Sequence, residues 1–413
     1  MSSPFSIFAR RIDRALLGAF PEHVRYNLRI DTVAAVVFGV FYAAGLSFLP
    51  VVLRRLGASS DLLALYTAQT YLGSVFATVG VLLMQRFRPL TVGVVCWLLS
   101  RSLLIWTFLI ADATWLLALT ALFWLIEALP SPAYSLVVQA IYPVRLRGRA
   151  LGIVRMGMVL SILVTTPLAG MAFDYLGYQV IMPLASVLGV AATLLFTRLR
   201  IDRDALPTQP ARSLRSIWAI LGQNRRFAIY LLSFTLYGLG FLMGLPLFAV
   251  VQVDRLQLSY SEIGYLGLAQ SICWLLGNLY WGRLLDRRGG VWLMRANLGI
   301  AVVVPFCYIW ATSGWMLLPA FMVHGLISAG IDLAIISTAM ELAGPGQVAE
   351  YSAVQSTIIG LRGMLGPFLG VLILRAGLPE QAVFAAGCCL ILLGWLCLGT
   401  LTKTAPARSA DLG

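Results

Sequence analysis

Apolar residues in this chain do not alternate with polar ones at strand spacing, nor do they form the narrow stripe of a surface helix. They run in long blocks separated by short, arginine-bearing breaks. A helix needs roughly 20 apolar residues to cross the hydrocarbon core of a bilayer. On that rule the pattern predicts spans at roughly 32–53, 62–84, 90–111, 114–137, 149–172, 178–197, 227–251, 262–281, 291–311, 315–338, 351–373 and 381–401. The expected fold class is therefore an all-α membrane protein of twelve transmembrane helices. Residues 1–30 form an N-terminal segment whose Phe5, Phe8, Ile12, Leu16 and Phe20 alternate with arginines. It reads as a short amphipathic helix on the cytoplasmic surface. Arg10, Arg11 and Arg14 interrupt it before an apolar stretch begins, which argues against a cleavable signal.

Charge then gives the spans a direction. The breaks expected on one side, with the two termini, hold about 22 basic residues, against 4 on the other side (Arg54, Arg55, Arg255 and Arg375). Basic residues stay in the cytoplasm, so both termini are expected there, in a bacterial inner membrane. The longest polar stretch, residues 198–226, carries Pro207, Pro210 and seven arginines and reads as a cytoplasmic linker. It divides a bundle at 31–197 from a second at 227–402, with a cytoplasmic tail at 403–413.

Composition supports this reading: 60% of residues are apolar and 11% are charged, where a soluble domain has about 25% charged. The net charge of +13 would point to nucleic acid in a soluble protein. Here the arginines lie between apolar blocks and form no basic patch, so no nucleic-acid partner is expected, and the bilayer itself is the surface contacted. The six cysteines lie in apolar runs without metal-ligand spacing, so no metal and no cofactor is expected. His23 and His324 are far apart, and no nucleophile or phosphate-binding motif is present, which argues against an enzyme.

The two halves repeat at an offset near 200 residues. Pro167, Gly170 and Gly177 match Pro367, Gly370 and Gly377, and Ala68, Gln69 and Arg86 match Ala269, Gln270 and Arg287. Gly282-Arg283-Leu284-Leu285-Asp286-Arg287-Arg288-Gly289-Gly290 lies between the eighth and ninth spans. Arg147-Gly148-Arg149-Ala150-Leu151-Gly152 opens the fifth, and Gly363, Gly366, Pro367 and Gly370 lie on the eleventh. In these motifs the chain resembles the major facilitator superfamily. The resemblance implies two pseudo-symmetric six-helix bundles, a monomer, and a small-molecule substrate moved by alternating access. It also implies gating roles for Gly282, Asp286, Arg287, Gly289, Arg147, Gly148 and Arg149. The first-half copy of the loop motif departs from the pattern at Val81 and Gln85. The position where proton-coupled members carry an arginine on the fourth span falls at Thr120 or Ala121. Asp286, next to a short turn, could accept hydrogen bonds from a neighbouring helix N-terminus. The three glycines allow either close helix packing or, with Pro367, bending.

Charges inside the bilayer are costly and mark partners or water-filled paths. Arg101, Glu127, Arg155, His324, Asp332 and Arg362 are the candidates. With the helix placement implied by the family, matched depths predict the cross-bundle pairs Glu127–Arg362 and Asp332–Arg155. Pairing within a half, Glu127 with Arg101, is the alternative. Glu127 and Asp332 are also the candidates to carry a coupling proton. The spans that line the cavity in the family supply Phe38, Phe41, Tyr42, Trp124, Tyr134, Tyr237, Phe241 and His324. That lining is poor in amides and charges, which favours efflux of an amphipathic or apolar compound. A polar metabolite such as a sugar or organic anion, or a scaffold that moves nothing, are the alternatives.

Overall fold

The computed structural model describes residues 20–72, 79–80, 83–84, 86–201, 222, 224–343 and 347–403. The predicted segment before Phe20, most of the linker, the tail beyond Lys403, and Val81 and Gln85 lie outside them. The described chain is helical, and ten of its helices are long and apolar enough to cross a membrane. Part of the expected second span lies outside the described residues. The eighth is a continuous helix, Tyr260–Arg288, made more polar by Gln270 and Asn278 near its centre.

In chain order the helices are α1 Glu22–Phe41, α2 Leu49–Arg55, α3 Ser60–Gln69, α4 Pro89–Leu103, α5 Ala113–Ala128, α6 Ser131–Ile141, α7 Val144–Leu176 and α8 Tyr178–Phe196. They continue as α9 Arg225–Val250, α10 Tyr260–Arg288, α11 Gly290–Ala301, α12 Val303–Trp310, α13 Leu318–Leu342, α14 Val348–Arg375 and α15 Glu380–Lys403. Their ends follow local chemistry. Ser59 and Asn224 accept from the backbone N–H groups of Leu62 and Phe227, and Ser259 forms a capping box with Glu262. Gly177 and Gly377, at φ +73° and +81°, turn α7 into α8 and α14 into α15 at matching places in the repeat. Pro130 separates α5 from α6 within a stretch that reads as one span.

α1 begins at Glu22, ten residues before the start at 32 that the apolar block alone implies. Its first turns are packed: Val24 and Leu28 join Phe20, Val137, Val138, Ile141, Tyr142, Ala150, Val154 and Leu199 in one cluster. The Asn27 amide bonds the backbone of Arg200 in both directions.

The chain divides into two compact units. One holds residues up to Phe48, Phe76–Ile110 and Leu122–Gln209; the other holds Leu49–Val75, Ala111–Ala121 and everything from Pro210. In the first, α1 packs on α7 and α8, and α8 on α4. In the second, α10 pairs with α13, α9 with α14 and α15, and α11 with α13. The division does not follow the two sequence halves: α2, α3 and the start of α5 group with the second-half helices, where α3 packs on α14 and α9.

Candidate functional site

In the first unit, α4 and α5 bring two intramembrane charges together. Arg101 is 6% exposed and places its guanidinium 3.1 Å from the Glu127 carboxylate. It also donates to Thr193 Oγ1 at 2.8 Å and to the Gly189 carbonyl at 3.2 Å. Ser100, one residue before Arg101, donates its hydroxyl to the other Glu127 oxygen. The Phe38, Trp97 and Phe41 rings lie 4.8, 5.6 and 5.7 Å from the guanidinium carbon. Phe38 also touches Phe41 and Tyr42, and Phe123 touches Phe41 and Trp124, so four of the expected cavity residues collect around this ion pair.

The ion pair formed is the within-half alternative, Arg101 with Glu127. Glu127 is held by Arg101 from a neighbouring helix of its own unit, which offers charge neutralisation without a long reach. Arg362 lies in the second unit, on α14. It is 8% exposed, donates to the Phe234 carbonyl, and sits 3.8 Å from the Phe234 ring and 6.0 Å from the Tyr237 ring. Tyr237 stands next to Phe241, which stands 5.3 Å from His324, so the second-half cavity candidates also form one aromatic run. Of the other expected pair, Arg155 belongs to the first unit and Asp332 to the second.

The glycines of α14 are sites of close approach. A Cβ on Gly363 would enter the Tyr71 ring, one on Gly366 would meet Leu242, and one on Gly370 would meet the Met243 backbone. α14 runs unbroken through Pro367. These contacts are those of close helix packing.

The loop motif is built differently from its sequence reading. Gly289 takes φ +85° and ends α10, and Gly290 starts α11 hard against the backbone of Ser337 and Thr338. The carboxylate that caps this N-terminus is Glu341, which accepts from Gly290 N at 2.6 Å and Val291 N at 3.2 Å. Asp286 and Arg287 are exposed, and Asp286 has no hydrogen-bond or ion-pair partner among the described residues. Gly282 faces open space, and Arg288 lies 5.2 Å from the Trp292 ring. At the head of α7, Arg147 donates to the Gln139 and Tyr142 carbonyls, Arg149 faces the Phe20 ring, and Gly148 has space around it. Glu341 carries no motif signature; the signal available was an acidic residue at the end of an apolar run, opposite a glycine turn.

Asp31 also escaped the sequence reading, because the apolar block placed it at the edge of the first span. It is 1% exposed, inside α1, and accepts the Tyr142 hydroxyl at 2.8 Å.

The Major Facilitator Superfamily profile matches twice, over residues 32–257 and 250–412. The chain belongs to the major facilitator superfamily. Solved structures agree in fold. The nucleoside transporter NupG has a TM-score of 0.72 at 11% identity, over 92% of this chain and 99% of that one. A bacterial homologue of the human lysosomal transporter Spinster has a TM-score of 0.64. In its inward-facing unoccupied form, identity is 14% over 95% of this chain and 100% of that one. In its occupied form, identity is 15% over 94% and 100%. No curated protein sequence matches the chain.

Within this superfamily member, the four arginines that break the positive-inside pattern are all engaged, and all in the second unit. Arg54 Nε pairs with both Asp254 oxygens, at 2.9 and 3.1 Å. Arg55 donates to the Leu258 carbonyl at 2.6 Å and lies 3.7 Å from the centre of the Tyr260 ring. Arg255 pairs with Glu380 at 2.9 Å and donates to the Tyr308 carbonyl. Arg375 pairs with Asp61. Three of the four contacts join first-half residues to second-half residues. Arg54 and Asp254 occupy equivalent places in the repeat, as do Gly57 (φ +88°) and Gln257 (φ +50°) in the turns that follow. A turn that needs a positive φ is met by glycine in one copy and strained in the other.

Proposed function

We propose that this superfamily member is a secondary active transporter that moves a small amphipathic or apolar compound by alternating access, with efflux as its direction, from a bacterial inner membrane with both termini in the cytoplasm. The observation that carries this reading is the clasp of Arg54–Asp254, Arg55–Tyr260 and Asp61–Arg375. It lies at the end that the charge bias assigns to the non-cytoplasmic face. It holds first-half residues to second-half helices by contacts that water reaches: the Arg375 and Asp61 side chains are 68% and 47% exposed. Exposed ion pairs contribute little net stability each. A seal made of them can close one face and open again at small cost, which a carrier needs and a rigid scaffold does not. The aromatic surroundings of Arg101 and Arg362 support a solute with an apolar body over a sugar, whose hydroxyls would need many partners. The Asp332–Arg155 pair remains part of this proposal as a cytoplasmic counterpart of the clasp, and Glu127 and Asp332 as sites for a coupling proton.

The test is counterflow in sealed proteoliposomes with an aromatic carboxylate, an aromatic amine and a neutral aromatic alcohol. Saturable exchange of at least one is the expected result. Exchange no faster than in protein-free liposomes for all three would leave a scaffold as the better account.

A further inference from the structure

Two arginines are buried among aromatic rings in this protein, and their charges are treated differently. Arg101 has Glu127 beside it, together with Thr193 and the Gly189 carbonyl. Arg362 has none of this. Among the described residues its hydrogen bond goes to one backbone carbonyl, Phe234 O, and its buried Nε has no partner. Among the described residues the titratable groups that act on it are the phenols of Tyr237, Tyr71 and Tyr230, with no carboxylate. A guanidinium has five N–H donors in a fixed fork, and burying it without an anion is costly unless an anion arrives. The fold is shaped to keep it there: Gly238 on α9 leaves the space the guanidinium occupies, and a methyl group at that position would collide with it. Close by, Gln355 donates to the Tyr230 hydroxyl while its own buried carbonyl oxygen has no partner. From Arg362 the ring series Phe234, Tyr237, Phe241 and His324 runs on as an apolar wall.

We propose that Arg362 receives the negative group of a small organic anion, a carboxylate or phosphate monoester, whose apolar body lies along the Tyr237–Phe241–His324 wall. This rests on the carrier reading above and narrows its substrate to amphipathic anions. Arg362 supplies the charge that Arg101, already neutralised by Glu127, does not. Gly238 is a positioning residue that sets the guanidinium against α9.

Thermal unfolding of the purified protein in phosphatidylcholine nanodiscs tests this with benzoate and phenyl phosphate against their neutral counterpart, benzyl alcohol. The expected result is a concentration-dependent rise in Tm with an anion and not with the alcohol. Arg362→Gln is expected to weaken that response at least about tenfold, the size of a lost charge-assisted hydrogen bond. Arg362→Lys, which keeps the charge but not the fork, is expected to weaken it less. If Arg362→Gln does not fold, Arg362→Lys decides, and an unaltered response in it overturns the proposal. Equal responses to benzoate and benzyl alcohol, no response to either anion, or an undiminished response in Arg362→Gln would each overturn it too. An increase seen only when phosphatidylglycerol is added would assign the site to a lipid headgroup and overturn the solute reading. Saturable counterflow of the neutral or cationic probe, unchanged in Arg362→Gln, would sink this inference and leave the carrier standing; anion binding without any flux would do the reverse.

Discussion

Glu127 shows what a buried carboxylate does at the scale of one residue. Its two oxygens are taken by Arg101 and Ser100, so removing its charge leaves Arg101 buried, with rings around it and no counter-ion. Glu127→Gln is expected to destabilise the protein by about 3–5 kcal/mol, the usual cost of breaking a buried pair from one side. The double variant Arg101→Leu/Glu127→Leu should recover most of that loss, as read from Tm in detergent; a double variant no more stable than the single one would refute the account. The sequence identified both residues as intramembrane charges, since arginine and glutamate inside apolar blocks stand out. It offered Arg101 as one of two partners for Glu127 and could not choose, because partner choice depends on which helices are neighbours and on side-chain reach. Asp31 was lost for a related reason. A carboxylate at the border of an apolar block looks like a helix end, and its burial is decided by Tyr142, about 110 residues away.

Among elements, the turn between α10 and α11 is the instructive case. The glycine pair at 289–290 is legible from sequence as a sharp reversal, and Gly289 does adopt φ +85°. The expected carboxylate, Asp286, is exposed, and Glu341 from α13 fills the capping role. Glu341→Ala should therefore destabilise α11 by about 1 kcal/mol, and Asp286→Ala by less than half of that. Hydrogen exchange at the Gly290 and Val291 amides is the direct readout: faster exchange in the Asp286 variant than in the Glu341 variant would reverse the assignment. Ser259→Ala at the head of α10 is expected to cost a similar ~1 kcal/mol through loss of its capping box with Glu262. Both halves of that box, Ser259 and Glu262, lie within one turn, so it forms without long-range contacts.

The clasp proposed as a seal belongs to the scale of the whole molecule. Arg54→Glu would set a negative charge against Asp254. It should raise labelling, from the side that the charge bias assigns as non-cytoplasmic, of a cysteine placed at the buried position Leu258 of an otherwise cysteine-free protein. Combining it with Asp254→Arg should restore the wild-type rate. Labelling that does not change in Arg54→Glu would show that these contacts hold no seal. The sequence by itself determined the all-helical class and the duplicated plan. Those follow from hydrocarbon thickness, backbone hydrogen bonding and a repeat visible in Gly177 and Gly377, all of which are properties of short stretches read one at a time. It also picked out Arg54, Arg55, Arg255 and Arg375 as exceptions to the charge bias, without a reason for them. Only the tertiary structure supplied that reason, and with it the choice of Arg101 over Arg362 as the partner of Glu127 and a charge on Arg362 with no counter-ion among the described residues. Counter-ions in a membrane protein are chosen by distance in three dimensions, where residues 200 apart in sequence can stand within a hydrogen bond of each other.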